Sequence, residues 1–123
     1  MKKLYISCPM KGRTKENIAK SMYKLHKLAE IVFEQELEVI DTYIEDALDK
    51  TDAKNPAIHC LGESITKMAE ADYFVGLGGC EGAFRGCAVE SHAASAYHIE
   101  RLMLPLWVVA PDAKEQILTE ICG

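Results

Sequence analysis

Short runs of apolar, β-favouring residues alternate along this chain with longer segments whose apolar positions recur every three or four residues. Lys3 to Cys8 (K-L-Y-I-S-C) predicts a first strand. After a loop from Pro9 to Arg13, Thr14 can cap a helix whose apolar face is Ile18, Met22, Leu25, Ala29 and Val32. A short second strand is predicted at Glu38 to Thr42. The acidic stretch from Glu45 to Lys54 has no strong period and reads as a loop or a frayed helix. Asn55-Pro56 is a helix start, with Asn as cap and Pro at the first helical position, and Ile58, Leu61, Ile65 and Met68 follow on one face. Asp72 to Leu77 predicts the third strand, and a glycine-rich loop runs from Gly78 to Gly86. A helix from about Arg85 to Arg101 and a fourth strand from Leu104 to Ala110 come next. Asp112 with Glu115 makes a capping pair for a last helix.

Strands alternating with helices imply right-handed crossovers and a parallel sheet covered on both faces. With four or five strands the expectation is a flavodoxin-like, Rossmann-like three-layer sandwich in the order 2-1-3-4(-5), built as one domain over residues 1–123. Ligands of such sheets bind beyond the carboxyl ends of the strands, where the strand order reverses. That point lies between the first and third strands. The two compositionally unusual loops, Ser7 to Arg13 and Gly78 to Gly86, are the ones that leave those strands. Topology and composition therefore point to the same place.

Composition narrows the partners. Hydrophobic residues make up 49% of the 123 and charged ones 27%, the balance of an ordinary globular protein. No apolar stretch approaches membrane-spanning length and no signal-peptide pattern is seen, so a cytoplasmic location without membrane contact is expected. The net charge of −5 is uneven: through Lys27 there are eight Lys or Arg against one acid, and beyond it six against eighteen. A long nucleic acid is a poor partner for such a chain, while a small anion near the basic segment is compatible with it. Most of those lysines are expected simply to solvate a helix face. Five cysteines (Cys8, Cys60, Cys80, Cys87 and Cys122), an odd number, read as reduced thiols.

Glu90 falls in the first turn or two of the helix after the glycine loop, where the helix dipole favours an ionised carboxylate. Such a carboxylate at a ligand crevice can attack an electrophilic sugar carbon. An ordinary surface Glu is the other reading of that position. Gly78, Gly79, Gly82 and Gly86 offer backbone N–H groups that can close around phosphate or ribose oxygens. Arg85 in this loop, and Lys11 and Arg13 in the opposite one, are cations that can pair with a phosphate or stand solvated. Cys8 to Arg13 and Cys80 to Arg85 each have four intervening residues, one short of the C-x5-R phosphatase loop. Cys80, Cys87 and His92 lack the spacing of a metal site, so no metal and no cofactor is expected. Cys8, near Lys11 and Arg13, is the thiol expected to be most reactive. Asp72 reads as a buried polar cap. Tyr5 is either core or placed to bring its hydroxyl near Glu90.

Y-I-S-C-P-M-K-G (Tyr5 to Gly12), A-D-Y-F-V-G-L (Ala71 to Leu77) and F-R-G-C-A-V-E (Phe84 to Glu90) resemble, in order and spacing, motifs of the nucleoside 2-deoxyribosyltransferase-like superfamily. The resemblance implies an enzyme of the N-glycosidic bond. The Glu matching Glu90 would attack C1′ of a nucleoside or nucleoside 5′-monophosphate, and the Tyr matching Tyr5 would orient it. Water or a second base would then take the sugar. The first loop (Ser7, Cys8, Pro9, Met10, Gly12, Arg13) would contact base or sugar, with Gly78, Gly79, Arg85 and Gly86 opposite. Phe84, Cys8 and His92 depart from the pattern, Phe84 standing where relatives carry Ser or Asp to hold the sugar's 5′ end. Arg85 taking over that duty would favour a phosphorylated ligand. A nucleotide-binding protein without turnover, on the same scaffold, is the alternative expectation. The small residues of S-H-A-A-S-A-Y-H after Glu90 predict a homodimer or larger, with close packing inside one subunit as the competing account.

Overall fold

The computed structural model describes residues 1–8, 14–42, 52–78, 85–105 and 108–109. Four strands, β1 (Lys2–Ile6), β2 (Leu37–Val39), β3 (Tyr73–Gly78) and β4 (Glu100–Pro105), alternate with three helices, α1 (Lys15–Phe33), α2 (Pro56–Met68) and α3 (Arg85–Ala96). The sheet is wholly parallel in the order β2-β1-β3-β4. This is the small Rossmann-like arrangement expected of the alternating pattern. Among the described residues no helix is long and apolar enough to cross a membrane.

Both faces of the two central strands are buried, which is why β1 and β3 read as near-continuous apolar runs. Leu4 and Ile6 of β1 and Val75 and Leu77 of β3 pack on one face beneath Leu25 and Ala29 of α1. Tyr5 and Phe74 point the other way, against Ile40, Met68 of α2 and Ala94 of α3. The layers are thus α1, the sheet, and α2 with α3. Beyond Ile6 the Ser7 N–H still donates to the Val75 carbonyl at 2.9 Å, so β1 and β3 stay paired up to the loops that leave them.

The caps read from the sequence form. Thr14 Oγ1 accepts the Asn17 N–H at 3.1 Å, and Asn55 Oδ1 accepts the Ile58 N–H at 3.2 Å. The boundary between α3 and β4 does not fall where the pattern put it. The helix stops at Ala96 rather than Arg101, and the strand occupies Glu100–Pro105 rather than Leu104 to Ala110. The cause is His98 in the left-handed region (φ 60°), with the His98 N–H returning to Ser95 and the Ile99 N–H to Ala94. This is the reversal usually made by glycine. Pro105 consequently closes β4 instead of opening it. Smaller corrections concern the helix faces. Val32 is 54% exposed and Ile58 63% exposed. Phe33, stacked on Tyr73 with ring centres 4.2 Å apart, takes the last inward place of α1. No element among the described residues covers Ile58. Asp72 is an exposed rather than buried cap, its Oδ2 accepting the Lys3 N–H at 2.8 Å. The predicted last helix at Asp112 and most of the acidic stretch after Glu45 lie outside the described residues.

β2 is an outer strand in this order, and α1 guards its start. The Glu30 carboxylate accepts the Leu37 N–H at 2.9 Å, and His26 Nε2 lies 2.9 Å from the Leu37 carbonyl. Those bonds occupy backbone groups that an edge would otherwise present. The Leu37 N–H, with lesser help from His26 and Lys27, holds the Glu30 carboxyl below the usual glutamate range. A depressed carboxyl contributes stability above its unfolded value and loses it as pH falls through the folded one. Glu30→Gln should therefore lower the melting temperature near neutral pH, and the gap to wild type should close in acid below the glutamate range. Equal melting temperatures at neutral pH would show that the contact contributes nothing.

Candidate active site

Tyr5 on β1 and Ser7, just past its end but still paired with β3, are two apart and so leave the same face of the sheet, the one covered by α2 and α3. Glu90 stands in the second turn of α3, above them. The Tyr5 hydroxyl donates to Glu90 Oε2, and the Ser7 hydroxyl makes a long contact of 3.5 Å to Oε1. The two carboxylate oxygens are thereby divided between two hydroxyls at the end of β1. Ser64 of α2 and Cys87, one turn before Glu90, lie close enough to the Tyr5 hydroxyl to act on it electrostatically. Elements β1, α2 and α3 converge here at the carboxyl end of β1, beside β3. This is the point where the strand order reverses.

Burial dominates the electrostatics. The Tyr5 phenol is raised far above its ordinary value, by burial first and then by the Glu90 charge, so Tyr5 remains a donor at every working pH. The Glu90 carboxyl is raised by loss of solvent, and the hydrogen bonds from Tyr5 and then Ser7 oppose that rise. The helix dipole was the expected means of keeping Glu90 ionised. In the structure its charged form is held by two hydroxyls against a desolvated site. A carboxylate short of water and aimed by fixed donors is suited to bond formation or proton transfer, and such perturbed groups concentrate at functional sites.

An anion held in a desolvated site costs folding stability. Because the folded value is raised, the native state binds the proton more readily, and stability falls as pH rises from the unfolded glutamate value through the folded one. Glu90→Gln keeps the shape and removes the charge. It should stabilise the fold near neutral pH by about 1 kcal/mol, in the range usual for relieving a functional position. The gain should fade below about pH 4, where the free carboxyl is itself protonated. Calorimetry across pH checks this, and a variant less stable than wild type at neutral pH would contradict it.

The remaining predicted site residues divide into three groups. Ser7 is at the site, Gly78 ends β3, and Gly86 lies in the first turn of α3. Cys8 is buried in the core among Leu4, Leu77 and Val109. The expectation of a reactive thiol there is corrected, since a reagent would have to open the core. Arg85 begins α3; its side chain, with Pro9, Met10, Gly12, Arg13 and Gly79, lies outside the described residues. Cys8, Cys60 and Cys87 are in no disulfide. Among the described residues no group of three or more His, Cys, Asp or Glu could hold a metal ion. Ser64 and Phe74 were not picked out from the sequence, and Cys87 was weighed there only as a metal ligand. Ser64 left a signal, as a hydroxyl among Leu61, Ile65 and Met68 on the inward side of α2. Comparison with protein-family models, with curated proteins and with solved structures finds no match for this chain.

Proposed function

We propose that this protein cleaves or transfers across the N-glycosidic bond of a nucleoside or nucleoside 5′-monophosphate, with Glu90 as nucleophile and Tyr5 as its orienting partner. The observation that carries the reading is the pair itself, a half-buried carboxylate gripped by a fully buried phenol at the strand-order reversal. The three short motifs that resemble the nucleoside 2-deoxyribosyltransferase-like superfamily support it from the sequence side.

In the first step a Glu90 oxygen forms a bond to C1′ while the C1′–N bond breaks, its electron pair leaving with the base, which takes a proton from solvent. In the second, water or another base attacks C1′ and gives up a proton to solvent while the ester bond to Glu90 breaks and returns the carboxylate, so two inversions give net retention. In this proposal Ser7, Cys8, Pro9, Met10, Gly12 and Arg13 would contact base and sugar, and Gly78, Gly79, Arg85 and Gly86 the sugar or phosphate. Cys8 could contribute only backbone, given its burial. The protein works without metal or cofactor in this reading, on a cytoplasmic pool of small nucleosides or nucleotides. A homodimer belongs to the same proposal, with α3 near the interface. Ala94 and Ser91 are used within the subunit, while Val89 and Tyr97 are left exposed.

The test is chromatography of nucleosides and deoxynucleoside monophosphates incubated with the protein, with and without a second base. Steady release or exchange of free base supports the reading. Binding without any release would replace it with a nucleotide-binding protein on the same scaffold.

A further inference from the structure

Tyr5 can serve Glu90 only if its ring is held at one tilt, because the hydroxyl stands at the end of a long lever. The contacts at that end cannot set the tilt alone, since Glu90 and Ser64 sit on different helices. Something must fix the ring itself. Tyr5 and Phe74 are register partners on β1 and β3, both fully buried, and their rings stack at 5.7 Å between centres with only 9° between planes. Parallel neighbouring strands place such rings side by side, so the tilt of one is tied to the tilt of the other.

The tilt of Phe74 is in turn permitted by Gly76, two residues on along β3 and on the same face. A Cβ at Gly76 would come within 2.9 Å of Phe74 Cε1 and 3.4 Å of Cζ, with the Met103 methyl 3.6 Å away. The Phe74 ring therefore lies along its own strand over the space that Gly76 leaves empty, toward the carboxyl end where the site is. The Phe74 ring is fully buried, so an added methyl at that distance must displace it within the packed layer.

We propose that Phe74, seated over Gly76, is a positioning residue that sets the angle at which Tyr5 meets Glu90. This role rests on the catalytic reading of Glu90 for its importance to turnover, but its readout needs no substrate. The Glu90 carboxyl carbon, observed by NMR in isotopically labelled protein, titrates with a midpoint that reports the Tyr5 hydrogen bond. Tyr5→Phe should move that midpoint upward, because a donor to the charged form is gone. Phe74→Leu should move it upward by at least half as much, although position 74 touches no oxygen of Glu90. The double variant Tyr5→Phe with Phe74→Leu should show no shift beyond that of Tyr5→Phe alone, the signature of action through one residue. Gly76→Ala leaves both rings chemically intact and should give the same upward movement; it carries the test if Phe74→Leu fails to fold. A wild-type midpoint in folded Phe74→Leu or Gly76→Ala overturns the assignment, as does an additive shift in the double variant. Failure of the function would look different: no base released from any nucleoside or nucleotide, with these midpoint shifts intact.

Discussion

Glu90→Gln is expected to reduce turnover of the true substrate about a thousandfold or more, roughly 4 kcal/mol of barrier, while leaving the fold intact. The amide has the shape of the carboxylate and can still accept from Tyr5, so the loss isolates the charge that forms the bond to C1′. Among the described residues the side chains bonded to Glu90 are the Tyr5 phenol and the Ser7 hydroxyl, neither of which is a replacement carboxylate. The loss should fall on kcat with little change in KM, since attack follows binding. Combined with the expected gain in thermal stability, the variant would be more stable and nearly inactive, the opposite of what general misfolding produces. Turnover at the wild-type rate would remove Glu90 from the chemistry.

Tyr5→Phe should cost about tenfold to a hundredfold, roughly 2 kcal/mol, in line with loss of one hydrogen bond to a charged group. The nucleophile survives, less well aimed and harder to ionise. The second consequence gives the prediction a pH signature. Attack requires the ionised carboxylate, so activity rises with pH through the Glu90 midpoint. The Tyr5 hydroxyl lowers that midpoint against the effect of burial, so its removal should shift the acid limb of the rate profile to higher pH. The loss should be largest in acid and shrink as pH rises. A uniform loss at all pH values would mean that the hydroxyl aims the carboxylate without helping it ionise, and an unchanged rate would mean that its bond to Glu90 is incidental.

How much of this was legible beforehand depended on whether a feature is local. The apolar runs of β1 and β3 and the Thr14 and Asn55 caps are local, and they form near the expected residues. So does the parallel order, which follows from the alternation and the handedness of crossovers. The end of α3 was misplaced because His98 adopts a glycine's conformation, leaving no glycine to mark the turn, and because Glu100 and Arg101 continue a plausible helical face. At the site, Tyr5 and Glu90 were each identifiable, Tyr5 by its place on β1 and Glu90 by its place after the glycine loop. Their contact depends on the rotation of α3 over the sheet, which no run of residues encodes by itself. Ser64 reaches Tyr5 only because α2 crosses that same face. Partial burial of the carboxylate is likewise a property of three packed elements, which the place of Glu90 along α3 does not reveal by itself.

The most direct measurement is the trapping of the covalent intermediate. The protein is incubated with a 2′-fluoro-2′-deoxynucleoside or its 5′-monophosphate, whose fluorine slows breakdown of a glycosyl ester, and is then examined by intact and peptide mass spectrometry. The account predicts stoichiometric release of free base and one fluorodeoxyribosyl unit (or its phosphate) attached to the peptide carrying Glu90, absent in Glu90→Gln. Release of free base with the Glu90 peptide unmodified, or with the sugar on another residue, would contradict it.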